Sequence, residues 1–197
     1  MVRSFFSGFF GNSSKESAEP VAVNPHNEEF ARAAVDEALL ALGYLKSNAA
    51  QTILGLLPRC GREHPRAVAT DFRKSGEQIS ADEKRNLAIR SNGYMSRQAH
   101  SELSEKGLQH PLIAHEITLL RAHFTVNRHI ALAQFEKSGI ESVQMSGSFP
   151  NGCEVCAETY GKIIPTSQAN PFPPFRCEKE GCAMMFQARH DFLSGVS

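Results

Sequence analysis

Four of the five cysteines in this 197-residue chain form two close pairs near its C-terminal end. Two residues separate Cys153 from Cys156, and four separate Cys177 from Cys182. Each pair can wrap a tight turn around one side of a metal ion, and the chain between the pairs can close the other side. A closed tetrahedron of thiolates is typical of structural zinc. We therefore predict that zinc is the cofactor and that these four cysteines are its ligands.

Other uses of the same cysteines fit the sequence less well. An iron–sulfur cluster is disfavoured because the spacing matches neither common ferredoxin pattern. Two disulfides would require export, yet the apolar run in residues 1–10 is shorter than the core of a signal peptide. We expect a cytoplasmic protein, and there paired cysteines are more often metal ligands. The four phenylalanines of residues 1–10 either dock on the domain or anchor the chain to a partner or a bilayer surface.

The sequence favours a non-enzymatic role for the metal. A catalytic zinc keeps one position open for water, whereas four cysteines fill the coordination shell. His115-Glu116 begins like a zinc-protease motif, but Leu119 stands where the second histidine is required. An enzyme based on Cys60 or His123 would require these two side chains to meet in space.

A second hypothesis concerns basic residues in the first half of the chain. Lys plus Arg equals Asp plus Glu, at 21 each, so the chain as a whole does not attract nucleic acid or an anionic membrane. Between residues 59 and 97, basic residues outnumber acidic ones, although no aromatic series interleaves with them to stack bases. A nucleic-acid-binding or processing protein with a zinc ribbon would use Arg59, Arg62, Arg66, Arg73, Lys74, Lys84, Arg85, Arg90 and Arg97.

The segments that position these residues divide the chain into three parts. Residues 1–24 end in a stretch rich in Ser, Glu, Pro and Ala without periodicity, which indicates a flexible N-terminal segment. Residues 25–110 have helical spacing, with a predicted hairpin of one helix near 28–46 and a second, capped by Ser47 or Asn48, that Pro58 ends.

Two further helices are predicted in the same region. Ser80 and Glu83 form a capping box that starts one helix. The other runs from about Tyr94 to Lys106 and stops at Gly107. No stretch in the chain approaches the length of a membrane span.

The third part, residues 111–197, begins with the longest predicted helix. Pro111 suits a first helical position, and Gly139 suits the C-cap. An apolar stripe recurs along this helix at Ile113, Ile117, Leu120, Phe124, Ala131 and Phe135. Alternating patterns then predict strands near 140–145, 159–164 and 183–187, with the first cysteine pair at a turn between the first two. The predicted class is α+β: a helical N-terminal region, a long helix, and a small antiparallel sheet with a four-cysteine zinc site.

The order of motifs from the long helix onward resembles the C-terminal module of phage head morphogenesis proteins, the Mu F-like minor head family. The resemblance covers roughly residues 120–186, and its motifs are Asn127–Ile130, Gly139–Val143, Cys153–Cys156, Tyr160–Ile164 and Pro173–Cys177 followed by Cys182. It implies a non-enzymatic protein that contacts portal and capsid proteins, or DNA, during head assembly.

Overall fold

A computed structural model describes residues 25–147, 154–173 and 183–189 of the chain. Its α-helices are α1 (Pro25–Leu42), α2 (Ala50–Leu56), α3 (Pro65–Lys74), α4 (Ala81–Asn86), α5 (Arg97–Ser101), α6 (Glu105–Gln109), α7 (Ala114–Lys137) and α8 (Glu154–Thr159). The strands β1 (Ser142–Ser146), β2 (Ile163–Pro165) and β3 (Met185–Ala188) form one antiparallel sheet in the order β2-β1-β3. The predicted α+β class is confirmed at this level.

The predicted hairpin is present with different boundaries. Helix α1 ends at Leu42, short of the predicted end, because Gly43 takes the left-handed conformation with φ +65°. Helix α2 lies between two short 3-10 helices, and Pro58 falls in the second of them. The prediction that Ser47 or Asn48 caps α2 is wrong, because both residues lie inside the first 3-10 helix.

The chain between α3 and α7 contains one confirmed and one wrong prediction. The capping box is present at α4, where Glu83 N donates to Ser80 Oγ and Ser80 N donates to the Glu83 carboxylate. The single helix predicted from residue 94 to 106 is instead two short helices, α5 and α6. Leu103 lies between them and pairs with Leu45 in an isolated β-bridge, an interaction that local sequence does not reveal.

Helix α7 contributes to two separate apolar clusters. Its first half packs against α1 and α3 and places Ile117, Leu119 and Ala122 in the main core. Its second half places Leu132 against Val143 and Phe186 of the sheet. We call α1 to α6 with the first half of α7 the helical region, and the sheet with α8 and residues 160–173 the sheet module.

All three predicted strands are present, although β2 begins at Ile163 and not near residue 159, and the turn predicted at Cys156 is wrong. Strand β1 pairs with β2 through Gln144 and Ile163, and with β3 through Ser146 and Met185. Cys156 lies within helix α8 and not at a turn. None of the helices in the described part of the chain combines the length and apolar character needed to span a bilayer.

Candidate metal centre and its surroundings

The predicted zinc ligands fall largely outside the described residues. Cys153, Cys177 and Cys182 are not among them, and only the backbone of Cys156 is described, in α8. Within residues 25–147, 154–173 and 183–189, no group of three or more His, Cys, Asp or Glu side chains is arranged to hold a metal. The four-cysteine site therefore remains a prediction. The described residues show only where the chain runs as it approaches each cysteine pair.

The sheet topology brings the approaches to both cysteine pairs to one end of β1. Both β2 and β3 run antiparallel to β1, so each begins beside the C-terminal half of that strand. The chain that leaves α8 reaches this end at Gly161, whose N–H donates to Met145 O at 2.9 Å. The chain that enters β3 reaches it at Ala183, whose carbonyl oxygen would lie 3.2 Å from a Cβ built on Gly147. Ala183 directly follows Cys182 in sequence.

A buried arginine of α7 hydrogen-bonds the chain before and after the second cysteine pair. Arg128 is 2% exposed. Its Nε donates to Pro171 O at 2.5 Å, and its Nη1 donates to Met184 O at 2.9 Å. Its Nη2 donates to Thr125 Oγ1 at 2.9 Å, and that hydroxyl donates in turn to Arg121 O. The guanidinium thus contacts the chain on both sides of residues 174–182.

Aromatic side chains of α1 and α7 pack together beside the contact between Arg128 and Pro171. The rings of Phe30 in α1 and His129 in α7 are parallel, with centroids 3.8 Å apart. Phe172, which follows Pro171, lies against Phe30 at 5.1 Å. Desolvation lowers the pKa of His129, which favours the neutral imidazole that stacks on an apolar ring. Pro171 and Phe172, which precede the second cysteine pair in sequence, therefore contact α7 and α1 respectively.

A second buried polar cluster lies in the helical region. His115 Nε2 is 2.9 Å from Glu102 Oε2, and the His115 ring is fully buried. Thr52 donates to Glu102 Oε1 at 2.6 Å, and the Gln98 amide contacts the same carboxylate oxygen at 3.3 Å. Phe72 packs on the His115 ring at 5.1 Å. These groups are closed to substrate, so the arrangement joins helices and does not form an open reaction site.

The side chains named for an enzymatic alternative have partners of their own. Burial raises the pKa of the Cys60 thiol to about 11, so the thiol stays protonated near neutral pH. The Cys60 thiol also lies 3.7 Å from Leu56 O, as a weak donor. His123 Nε2 is 2.9 Å from the Asn127 side-chain nitrogen, and desolvation lowers the pKa of this histidine. Neither residue has the environment of an activated nucleophile or base.

Ion pairs neutralise some of the basic residues between 59 and 97. Four of the nine form ion pairs: Arg59 with Glu63 and Asp71, Arg66 with Glu116, Arg85 with Asp82, and Arg97 with Glu77 and Glu83. Arg73 is 7% exposed, and desolvation lowers its pKa. The Lys74 ammonium lies 5.4 Å above the Tyr94 ring, whereas Arg62 and Arg90 are exposed. The positive surplus that faces solvent is therefore carried by side chains such as Arg62, Lys74 and Arg90, for which the described residues supply no ion pair.

Sequence reasoning missed the polar side chains on the buried face of α7. The predicted apolar stripe includes Ile117, which is buried, but Leu120 and Phe124 are only partly buried. The fully buried face instead includes Ala114, Thr118, Arg121, Thr125, Arg128 and Leu132, at intervals of three or four residues. That interval was the available signal, although it is visible only when Thr and Arg are counted with the apolar residues.

Comparison with protein-family models, with curated proteins and with solved structures finds no match to this chain.

Proposed function

We propose that this chain is a non-enzymatic protein-interaction module. Structural zinc bound by Cys153, Cys156, Cys177 and Cys182 stabilises it, and it contacts protein partners in a phage-head-like assembly. The observation that carries the proposal is the pairing of β2 and β3 on opposite sides of β1, which brings the approaches to both cysteine pairs to one end of the sheet. A metal at that end would tie together chain segments that strand pairing already holds close.

The small apolar core of the sheet module supports a need for such a metal. Among the described residues, the buried members of its cluster are Leu132, Val143 and Phe186, and the first of these belongs to α7. A structural metal commonly provides a further constraint to units that bury little apolar surface. Four thiolates would leave no open coordination position, which fits a stabilising role.

Exposed apolar side chains beside the first cysteine pair supply a candidate contact surface. Tyr160, directly after α8, is 48% exposed, and Ile163, the first residue of β2, is 53% exposed. Tyrosine is enriched in protein interfaces because it offers a large apolar face and a hydrogen-bonding group. Zinc bound near α8 would fix the position of this surface. The family resemblance names portal and capsid proteins as the corresponding partners.

Metal analysis of the purified full chain tests the zinc component. We expect about one equivalent of zinc, retained through gel filtration and released when the thiols are modified. The structural-zinc proposal fails if the folded chain holds less than about half an equivalent while all four paired thiols remain titratable.

Co-expression with the products of neighbouring genes tests the assembly component. If portal or capsid proteins are encoded there, they should co-purify with this chain. The double variant Tyr160→Ser, Ile163→Ser should weaken that association, whereas Tyr94→Ser changes a comparably exposed tyrosine outside the sheet module and should leave it unchanged. Neighbouring genes without head proteins would remove the phage component and leave the zinc module to be tested separately.

Nucleic-acid binding is the contrasting hypothesis. Phosphate-driven binding weakens steeply with salt, because counterions are released from the nucleic acid. We expect no such salt-dependent binding, since carboxylates already pair with Arg59, Arg66, Arg85 and Arg97. Binding that falls steeply with salt and is lost in an Arg62→Ala, Arg90→Ala variant would favour the alternative.

A further inference from the structure

A cleft of about 380 Å³ opens beside the C-terminal half of α1. Leu39 and Leu45 are the buried part of its lining. Leu40 also lines it and is 77% exposed, more than any other large apolar side chain of the described residues. Asp36 and Ser47 complete the lining and are exposed. The cleft thus combines three leucines with one carboxylate.

The backbone around this cleft is held by contacts that form without any occupant. Gly43 takes φ +65° and ends α1, so the chain changes direction there and brings Leu45 to the same cleft. Leu45 pairs with Leu103 in the isolated β-bridge, and Lys46 N donates to Glu102 O at 2.8 Å. A cleft whose backbone is already fixed has little conformational freedom to lose when it binds an apolar group.

Residues 1–10, which we call the aromatic segment, supply side chains that match such a cleft. They lie outside the described residues. Phe5, Phe6, Phe9 and Phe10 place four apolar rings within six positions, and exposure of all four to water is unfavourable. The volume of the cleft falls in the range of about 300–1,000 Å³ that small ligands occupy. The cleft therefore has room for an aromatic ring.

The chain between the aromatic segment and α1 is long enough to reach the cleft. Fourteen residues, 11–24, precede the start of α1 at Pro25. Leu40 lies fifteen positions further on, about 22 Å along the helix. Fourteen extended residues span up to about 46 Å, so the aromatic segment can return along α1. Short tethers give effective concentrations in the millimolar range, so a contact of modest affinity is enough to populate the docked form.

Charge favours this cleft over a second one of about 240 Å³ that Leu112 lines. Arg3 and Lys15 flank the four phenylalanines, and no acidic residue lies between them. The Asp36 carboxylate forms no ion pair within the described part of the chain. The second cleft has no carboxylate in its lining, and the exposed Arg90 directly follows one of its lining residues. A basic segment is therefore attracted to the first cleft and not to the second.

We infer that the cleft of α1 is an intramolecular docking site for the aromatic segment. Phenylalanine side chains of residues 5–10 pack on Leu39, Leu40 and Leu45, and a basic residue that flanks them pairs with Asp36. Both the exposed leucine and the aromatic rings are thereby removed from water. This docking is independent of the proposed zinc site, because the cleft belongs to the helical region.

Photo-crosslinking in the full chain tests the docking. With p-benzoylphenylalanine introduced at Phe9, illumination should give a crosslink within residues 36–47 of the same molecule. Leu40→Arg should lower its yield about tenfold, because it removes an apolar contact and adds a charge that repels the basic segment. Leu112→Arg makes the same change in the second cleft and should leave the yield unchanged. Both leucines are exposed, so both variants should fold, and circular dichroism would verify this.

A charge exchange tests the role of Asp36. Asp36→Arg should lower the crosslink yield, and Arg3→Glu with Lys15→Glu should restore it in the Asp36→Arg chain, because opposite charges again face each other. Failure of the double change to restore the yield would overturn the proposed ion pair.

Three other outcomes would overturn the docking itself. A yield in folded Leu40→Arg equal to that of the unsubstituted chain would show that the cleft is not the site. Crosslinked products of dimer mass would assign the aromatic segment to a second copy. Binding of the chain to anionic lipid vesicles, unaffected by Leu40→Arg and without an intramolecular crosslink, would assign the segment to a bilayer surface. Zinc content bears on none of these results, so the proposed function stands or fails separately.

Discussion

The helical region and the sheet module handle buried polar groups differently. In the helical region, His115 hydrogen-bonds Glu102, and Arg121 pairs with Glu37, so both partners of each contact come from the same core. In the sheet module, the buried cation is Arg128 of α7, and it bonds main-chain carbonyls of the chain on both sides of the second cysteine pair. The first region is held by its own side chains, whereas the second depends on a neighbouring helix.

The apolar cores of the two regions also differ, in the number of elements that contribute to them. The main cluster draws on α1, α2, α3, α5 and the first half of α7. Among the described residues, the fully buried part of the second cluster is Leu132, Val143 and Phe186. Apolar burial is the main favourable term in folding and rises with the size of the unit. The described core of the sheet module is therefore smaller than that of the helical region, and under the proposed function zinc would add a constraint to it.

Removal of the metal should separate the two regions most clearly. Because structural zinc contributes about 10 kcal/mol or more to small metal-dependent folds, chelation should abolish amide protection in β1, β2 and β3 and preserve it in α1 and the first half of α7. Hydrogen exchange with mass spectrometry would measure this. Cys177→Ser should have the same effect. Cys60→Ala should not, since Cys60 lies in the helical core. Strands that stay protected without metal would contradict the comparison.

Loss of the Arg121–Glu37 ion pair should destabilise the helical region next most. Arg121 is 1% exposed and donates through Nε and Nη2 to the Glu37 carboxylate at 3.0 and 2.5 Å. Arg121→Met leaves that carboxylate without its partner, at a cost of about 3 kcal/mol, because Glu37 keeps some contact with water. Urea denaturation would measure the change. Glu37→Leu combined with Arg121→Met should recover most of the loss, and an unchanged midpoint in the single variant would count against the assignment.

A pair of glycine variants tests how closely the backbones of the helical region approach. A Cβ on Gly107 would lie 2.0 Å from Tyr44 O, so Gly107→Ala should destabilise the fold by about 1–3 kcal/mol despite the helical propensity of alanine. At Gly55, in α2, no atom lies within 4 Å of the added Cβ, and Gly55→Ala should stabilise by about 0.5–1 kcal/mol. Thermal denaturation would compare them. If both variants shift the denaturation midpoint in the same direction, the close approach of Gly107 to Tyr44 O would be refuted.

The smallest expected effect is the pH dependence that His123 contributes. Desolvation lowers the pKa of His123 in the folded chain below 6.5, its ordinary value. At pH values between the folded-state pKa and this ordinary value, the unfolded chain therefore binds more protons than the folded chain. Stability should therefore fall as pH decreases through about 6.5. His123→Gln should flatten this slope, and the remaining slope should be smaller again in a variant that also carries His129→Gln, whose pKa is lowered in the same direction. Denaturation midpoints across this pH range would measure the slope, and an unaltered slope would show that His123 is not the cause.

Local sequence patterns predicted the elements whose causes are local. The capping box at Ser80 and Glu83 requires only residues three apart, and alternation over a few positions indicates three strands. The helix through Cys156 was missed because its few residues carry no strong local signal. The break between α5 and α6 was missed because Leu103 pairs with Leu45, far away in sequence.

The sequence by itself determined the α+β class, the long helix, and the two cysteine pairs with zinc-ligand spacing. Only the tertiary structure decided which face of α7 is buried, because a buried Arg is stable only when other groups accept its hydrogen bonds, whereas Thr118 and Thr125 donate to carbonyls of α7 itself. The acceptors for Arg128, Pro171 O and Met184 O, lie 43 and 56 residues away. Hydrophobic periodicity registers only apolar side chains, so it does not reveal a stripe whose arginines are satisfied by partners so remote in the chain.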